Sequence, residues 1–172
     1  MLIRRAQSED GSAVANVRVA SWRATYRGIV PDSYLDHMPS NEELWGRIAA
    51  GAEPNSELLI CEDEGRIVGF ASFGAARPPH FDYSGELHAT YFLPEATGKG
   101  YGRAIMRETV RALTRRGYAD MMLWVMEDNL RGRRFYESFG GSQIANSRQS
   151  FEIAGRTIFE VGYGFRPLPV TR

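Results

Sequence analysis

The chain has little of several things at once. Among 172 residues there is one cysteine and one lysine, and 21 basic side chains cancel 21 acidic ones. The single cysteine, Cys61, excludes an internal disulfide and a Cys-rich zinc site, and it makes a reducing cytoplasm the expected location. No apolar run approaches the roughly 18 to 20 residues of a membrane span, so no membrane partner is expected. Met1-Leu2-Ile3-Arg4-Arg5 lacks the apolar stretch of a signal peptide. Zero net charge argues against a nucleic-acid partner, because nucleic-acid-binding domains carry a large basic excess. Three scattered histidines, His37, His80 and His88, make no metal site, and no G-x-S-x-G nucleophile elbow is present. Repeats, low-complexity tracts and Pro/Ser-rich linkers are missing too. One globular domain over residues 1–172, large enough for a sizeable core, is therefore expected.

The charge that is present is unevenly placed. Residues 1–94 carry 13 carboxylates against 8 arginines, whereas residues 95–134 carry 9 basic side chains against 5 carboxylates. A short basic segment in an otherwise acidic chain suits one anionic ligand handled in one place, although arginines coating a helix give the same count. The lone lysine, Lys99, lies inside that segment.

Hydrophobic spacing supplies the elements. Leu2 to Ala6 reads as a strand, and Ser8-Glu9-Asp10 opens a helix carrying Ala13, Val17, Ala20 and Ala24 towards Tyr26. Gly28 and Pro31 break it, and Tyr34 to Ala50 is expected to form a second helix. Leu58 to Cys61 and Arg66 to Phe73 form a hairpin around Glu62-Asp63-Glu64-Gly65. In the next strand, Glu86 to Leu93, alternation places Glu86, His88, Thr90 and Phe92 on one face. A helix then buries Ile105, Met106, Thr109, Val110 and Leu113 and stops at Gly117. Met121 to Met126 is a strand, Leu130 to Phe139 a short helix, and Ser147 to Ile153 with Arg156 to Tyr163 a closing hairpin. The fold class is mixed α/β.

Between the strand ending at Leu93 and the following helix runs Thr97-Gly98-Lys99-Gly100-Tyr101-Gly102. Glycines at alternate positions let backbone N–H groups converge on an anion, and the helix start adds partial positive charge; a phosphate or pyrophosphate fits such a cradle. A tight strand-to-helix turn without a ligand is the plainer alternative. Gly100 after Lys99 fails the Walker A pattern. Arg103 fails the last position of the dinucleotide fingerprint, which also belongs after the first strand of its unit rather than the fourth.

These residues resemble the GNAT N-acetyltransferases. The family's Q/R-x-x-G-x-G/A loop is matched by Thr97 to Gly102, preceded by Tyr91-Phe92-Leu93-Pro94-Glu95. A second signature, N-x-x-x-x-x-F-Y-E-x-x-G-F, is matched by Asn129, Phe135, Tyr136, Glu137 and Gly140. Thr97 replaces the first Gln/Arg and Gly141 the final Phe. Near the start, Trp22-Arg23-x-x-Tyr26-x-Gly28-x-x-Pro31 is similar to a stretch common in the family. The resemblance covers nearly the whole chain. It implies a mostly antiparallel twisted sheet, flanked by helices and splayed between its fourth and fifth strands. It also implies acetyl-CoA as cosubstrate, no metal, a small-molecule or peptide amine as acceptor, and a possible homodimer.

The resemblance implies roles for particular residues. Acyl transfer to an amine needs a base for the ammonium proton, a donor for the carbonyl oxygen, and an acid for the departing thiolate. Tyr136, a phenol of ordinary pKa about 10, is expected to be the acid. The base is expected on the fourth strand, at Glu86 or, as its rival, His88, whose unperturbed pKa near 6.5 suits the task. Backbone N–H groups near Phe92 and Leu93 are expected to face the carbonyl, and Thr97, Gly98, Lys99, Gly100, Tyr101, Gly102 and Arg103 to cradle the pyrophosphate. Asn129 is expected to bond the pantetheine amides or a phosphate, unless it serves only as a helix cap. The acceptor is expected near Tyr26, Tyr34, Trp45, His80, Phe81 and Tyr83, with Glu42, Glu43, Glu53 and Glu57 attracting a cationic amine. A non-catalytic acyl-CoA sensor and a nucleotide-binding oxidoreductase remain as alternatives.

Overall fold

A computed structural model describes residues 1–79 and 81–169. Strand β1 (Leu2–Arg5) leads into a single helical turn at Ser8–Asp10, where Gln7 and Asp10 form a reciprocal capping box, and α1 (Gly11–Thr25) follows. The expected second helix is two helices, α2 (Asp32–His37) and α3 (Glu42–Ala49). Pro39 separates them. A proline ring clashes with a helical predecessor, and Met38 accordingly sits at φ −60°, ψ 137°, in extended backbone. The start of α1 crosses α3 closely, because a Cβ on Gly11 would lie 2.6 Å from the Cα of Gly46.

The sheet comprises β2 (Ser56–Asp63), β3 (Arg66–Ala75), β4 (Gly85–Phe92), β5 (Met121–Met126), β6 (Ser142–Gln143), β7 (Gln149–Ile153) and β8 (Arg156–Phe165), together with β1. Its order is β1-β2-β3-β4-β5-β8-β6, and β7 also pairs with β8. The β2–β3 hairpin turns through Glu64 and Gly65, both at positive φ, as a two-residue hairpin turn requires. Every pairing is antiparallel except β4 with β5. The two-residue strand β6 is too short to leave a periodic signal in the sequence.

The 15-residue helix α4 (Tyr101–Arg115) buries the apolar face expected of it, and α5 (Leu130–Glu137) follows β5. One core cluster, containing Ile60, Phe70, Phe73, Ile105, Leu113 and Tyr163, joins the sheet to α1, α3 and α4. A second holds Tyr26, Val30, Leu35, Met126, Ile153 and Ile158, fastening α2 and the β7–β8 hairpin around the far end of β5. The same hairpin is tied to the loop after α1 by Arg156, whose Nη1 donates to the carbonyls of Gly28 (3.3 Å) and Ile29 (3.1 Å). Cys61 is fully buried, and burial pushes its thiol up to about 11, so it is a core side chain.

Candidate active site

The site begins where β4 and β5 part. Their parallel pairing is confined to Gly85 with Met121 and Glu86 with Met122, and beyond it the strands diverge around a cleft of about 640 Å³. Divergent parallel strands leave backbone groups on the inner edges without a ladder partner, which a polar ligand can satisfy.

At one end the cleft is lined by Thr97, Gly98, Gly100, Gly102 and Arg103. Gly98 and Gly100 have φ of +82° and +84°, and a Cβ on either would project into open space. Gly100 directly precedes the first turn of α4, whose N–H groups have no acceptor within the helix. Arg103 lies over the Phe139 ring (5.1 Å) and donates to Ser138 Oγ at 3.2 Å. The Thr97 hydroxyl is engaged locally, donating to the Pro94 carbonyl at 2.6 Å.

Lys99 and Tyr101, expected in this cradle, do not line the cleft. The loop sends its alternate glycines inward and the residues between them outward. Tyr101 Oη donates to Asp63 Oδ2 at 2.7 Å, and that bond, with a lesser contribution from the Lys99 charge, holds the Asp63 carboxyl below its ordinary range. Leu93 is also corrected: it is buried, and its N–H already donates to the Val68 carbonyl at 2.9 Å. Ladder alternation then turns the Phe92 N–H away from β3, towards the diverging side of β4.

Farther along β4 the register slips, with Ser72 opposite Ala89 and Phe73 opposite Leu87, so that His88 is the extra residue of a β-bulge. Its Nε2 lies 3.1 Å from the Ala75 carbonyl. A carbonyl only accepts, so Nε2 carries the proton and Nδ1 keeps its lone pair. Burial pulls His88 below its ordinary 6.5. His88 lines the cleft; Glu86, two residues earlier, does not.

Glu86 is 1% exposed and held by Arg77. The Arg77 backbone N–H donates to Oε2 at 2.8 Å, and its guanidinium grips both carboxylate oxygens. A carboxylate so enclosed is poorly placed to take a proton from a substrate. It does lie 4.0 Å from His88 Nε2, where its charge favours the tautomer just described.

Tyr136 lines the opposite wall from α5, half-buried, its ring 5.4 Å from Phe135 and 6.4 Å from Tyr163. Burial, and then the nearby Tyr91 phenol, raises its pKa, so it is a neutral O–H donor at physiological pH. Tyr26 is raised as well, by burial first and then by Tyr91 and Tyr136, so three phenols gather here. Asn129 lines the cleft and caps α5, its Oδ1 accepting the Gly132 N–H at 2.9 Å. Both expected readings of Asn129 therefore stay open, since the cap leaves its amide N–H groups free of that duty.

Of the expected acceptor residues, Tyr26 lines the cleft and Trp45 an adjoining cavity, and Tyr34 packs 6.4 Å from Trp22. Phe81 lies 5.9 Å from Trp124, a cleft residue, whereas Tyr83 is covered by Arg166 at 4.2 Å. His80 is outside the described residues. The carboxylates expected to draw a cation are largely neutralised: Arg47 pairs with Glu43 and Glu53, and Arg5 and Arg116 pair with Glu57. Arg77, at the start of a segment expected to border the acceptor, lines the cleft, and so do Arg131, Trp124 and Glu160, to which sequence reasoning gave no role there. Arg131 occupies a variable position inside the second signature; nothing in the sequence marks Glu160. Among the described residues no group of His, Cys, Asp or Glu could hold a metal, and no helix is long and apolar enough to cross a membrane.

A mostly antiparallel sheet that parts at its fourth and fifth strands, beside a glycine-lined helix start, defines the acyl-CoA N-acyltransferase architecture. The chain matches the acetyltransferase (GNAT) family over residues 18–141. It is 36% identical over 170 residues to the uncharacterized N-acetyltransferase YuaI of Bacillus subtilis, covering 96% of this chain and 93% of that one. A spermidine N(1)-acetyltransferase of Thermoplasma acidophilum is 26% identical over 142 residues, covering 80% of this chain and 86% of that one. The solved structure of Salmonella typhimurium yncA with its cofactor acetyl-CoA superposes with a TM-score of 0.75 at 23% identity, over 96% of this chain and 93% of that one. The chain belongs to the GNAT family of acetyltransferases.

Proposed function

We propose that the protein transfers the acetyl group of acetyl-CoA to the amine of a small acceptor by direct attack, with both substrates held in the cleft at once. The observation that carries this reading is one continuous cleft. An open glycine cradle at a helix start lies at one end of it, and a neutral imidazole and a neutral, half-buried phenol lie along it. The fit to a CoA-type ligand rests on the cradle: Gly98 and Gly100 leave its inner face free of side chains, and Arg103 and Arg131 add positive charge to the cleft lining. Bound acetyl-CoA supplies the thioester whose carbonyl carbon is attacked and whose sulfur departs.

The protein's own groups then handle the protons. An acceptor that arrives as an ammonium first releases one proton to solvent; His88 Nδ1 takes the second as the freed nitrogen forms its bond to the acetyl carbon, and Glu86, through its charge near Nε2, positions the ring. Tyr136 gives its phenolic proton to sulfur as the carbon–sulfur bond breaks, and the proton collected by His88 restores the balance through solvent. The Phe92 N–H, on the diverging side of β4, is the donor for the carbonyl oxygen, where negative charge develops. No covalent bond to the enzyme is required when the two reactants are held together.

The test is CoA-thiol release over a panel of amines, for the parent and Tyr136→Phe, with acetyl-CoA affinity measured separately. The variant is expected to turn over roughly a hundredfold or more slowly while binding acetyl-CoA like the parent. Equal turnover removes Tyr136 from the acid role. Tight acetyl-CoA binding with no thiol release from any amine favours the sensor alternative, and NAD binding in place of acetyl-CoA favours the oxidoreductase.

A further inference from the structure

Two charges on the acceptor side of the cleft have no counter-charge. Glu160, on β8 opposite Met126, lines the cleft and is bonded to the Gln149 amide at 2.7 Å. Arg18, on α1, lines the adjoining cavity of about 330 Å³; it donates to the Pro39 carbonyl at 3.0 Å and lies 5.3 Å from the Trp22 ring. Neither has an ion-pair partner among the described residues. Both are half-buried, where a charge without a counter-charge is costly unless a ligand supplies one.

The cavities meet at Tyr91. Tyr91 and His88 line both, and Trp22, which lines the cleft beside Arg18, lies 6.3 Å from Tyr91 and 4.8 Å from Tyr26. The Tyr91 phenol feels both charges, Arg18 drawing its pKa down and Glu160 pushing it up, with burial the larger influence. An aromatic floor with a carboxylate at one side and a guanidinium at the other is complementary to a molecule carrying both signs.

We propose that the acceptor is a small zwitterion of the α-amino acid class, its amine held at Glu160 within the transfer cleft and its carboxylate directed to Arg18 in the adjoining cavity. This rests on the acetyl-transfer reading for its orientation: Glu160 shares the cleft with Tyr136 and Asn129, so the amine lies on the side where transfer takes place. His88, at the junction, is positioned to take the proton. A polyamine fits poorly, because its second cation would be placed against Arg18 while Glu43, Glu53 and Glu57 are already paired with arginines.

The experiment is calorimetric titration of the CoA-loaded protein with the common L-amino acids, their carboxamides and spermidine. At least one amino acid is expected to bind, its carboxamide roughly tenfold or more weakly, and spermidine far more weakly still. Arg18→Gln is expected to abolish the acid-over-amide preference and Arg18→Lys to keep it, each melting cooperatively; Glu160→Gln is expected to weaken acid and amide alike. The proposal is overturned if no amino acid binds, if amide or spermidine binds as tightly as the acid, or if folded Arg18→Gln keeps the preference. Thiol release is read separately. Amino-acid binding without release refutes the proposed function and leaves the zwitterion site standing, whereas release from amines regardless of a carboxylate does the reverse.

Discussion

Gly100→Ala separates the cradle's backbone geometry from its ligand. Gly100 sits at φ +84° and caps the start of α4, and a Cβ added there meets no atom within 4 Å. The cost to the fold is therefore torsional alone, about 1–2 kcal/mol for an L-residue held in the left-handed region. At this chain length that lowers the melting temperature by roughly 2–8 °C. Gly117 is a matched control: it sits at φ +83°, also with nothing within 4 Å, but beyond the far end of α4 and outside the cleft. The two alanine variants should thus melt alike. They should part in ligand affinity, because a methyl on Gly100 stands in the space where a pyrophosphate approaches the backbone. CoA affinity measured by calorimetry is expected to fall roughly tenfold or more for Gly100→Ala and to stay unchanged for Gly117→Ala. Equal affinities for the two variants would refute the cradle.

Two further predictions concern β4. His88 binds its proton more weakly folded than unfolded, so its contribution to stability is present above pH 6.5 and is lost as the pH falls below that value. Transfer rates should show an acidic limb below pH 6.5 that His88→Ala lacks; an unchanged limb in a pH–rate profile removes His88 from the base role. Arg77→Ala strips the guanidinium from a carboxylate 1% exposed. Since the Arg77 side chain is itself 61% exposed and its removal admits water, the expected loss is about 2–3 kcal/mol. Thermal melting should show it, with part recovered on adding Glu86→Gln; a loss no smaller in the double variant would mean the pair is not its source.

Much of the fold is written locally. The apolar face of α4, the β2–β3 turn at Glu64-Gly65 and β5 from Met121 to Met126 follow from periodicity and turn chemistry, which need only neighbours in sequence. The break between α2 and α3 was missed: the apolar spacing on either side of Pro39 read as one helix, although the proline ring disfavours a helical predecessor. The glycine cradle was legible locally, since alternate glycines before a helix restrict the backbone wherever they occur.

What a side chain faces was decided by the tertiary structure. Lys99 lies within the cradle in sequence, yet its charge acts on Asp63, because β2 passes outside the loop. Glu86 and His88 share a face under strict alternation, but the bulge at His88 and the guanidinium of Arg77, nine residues away, put one in the cleft and enclose the other. Glu160 and Arg18 are 142 positions apart in the chain, and both act on Tyr91 only because β8 and α1 border two cavities that share that residue. Local rules set which backbone shapes are available. Pairing of distant charges, and the divergence of two strands after two residue pairs, arise from the packing of elements that the sequence does not place side by side.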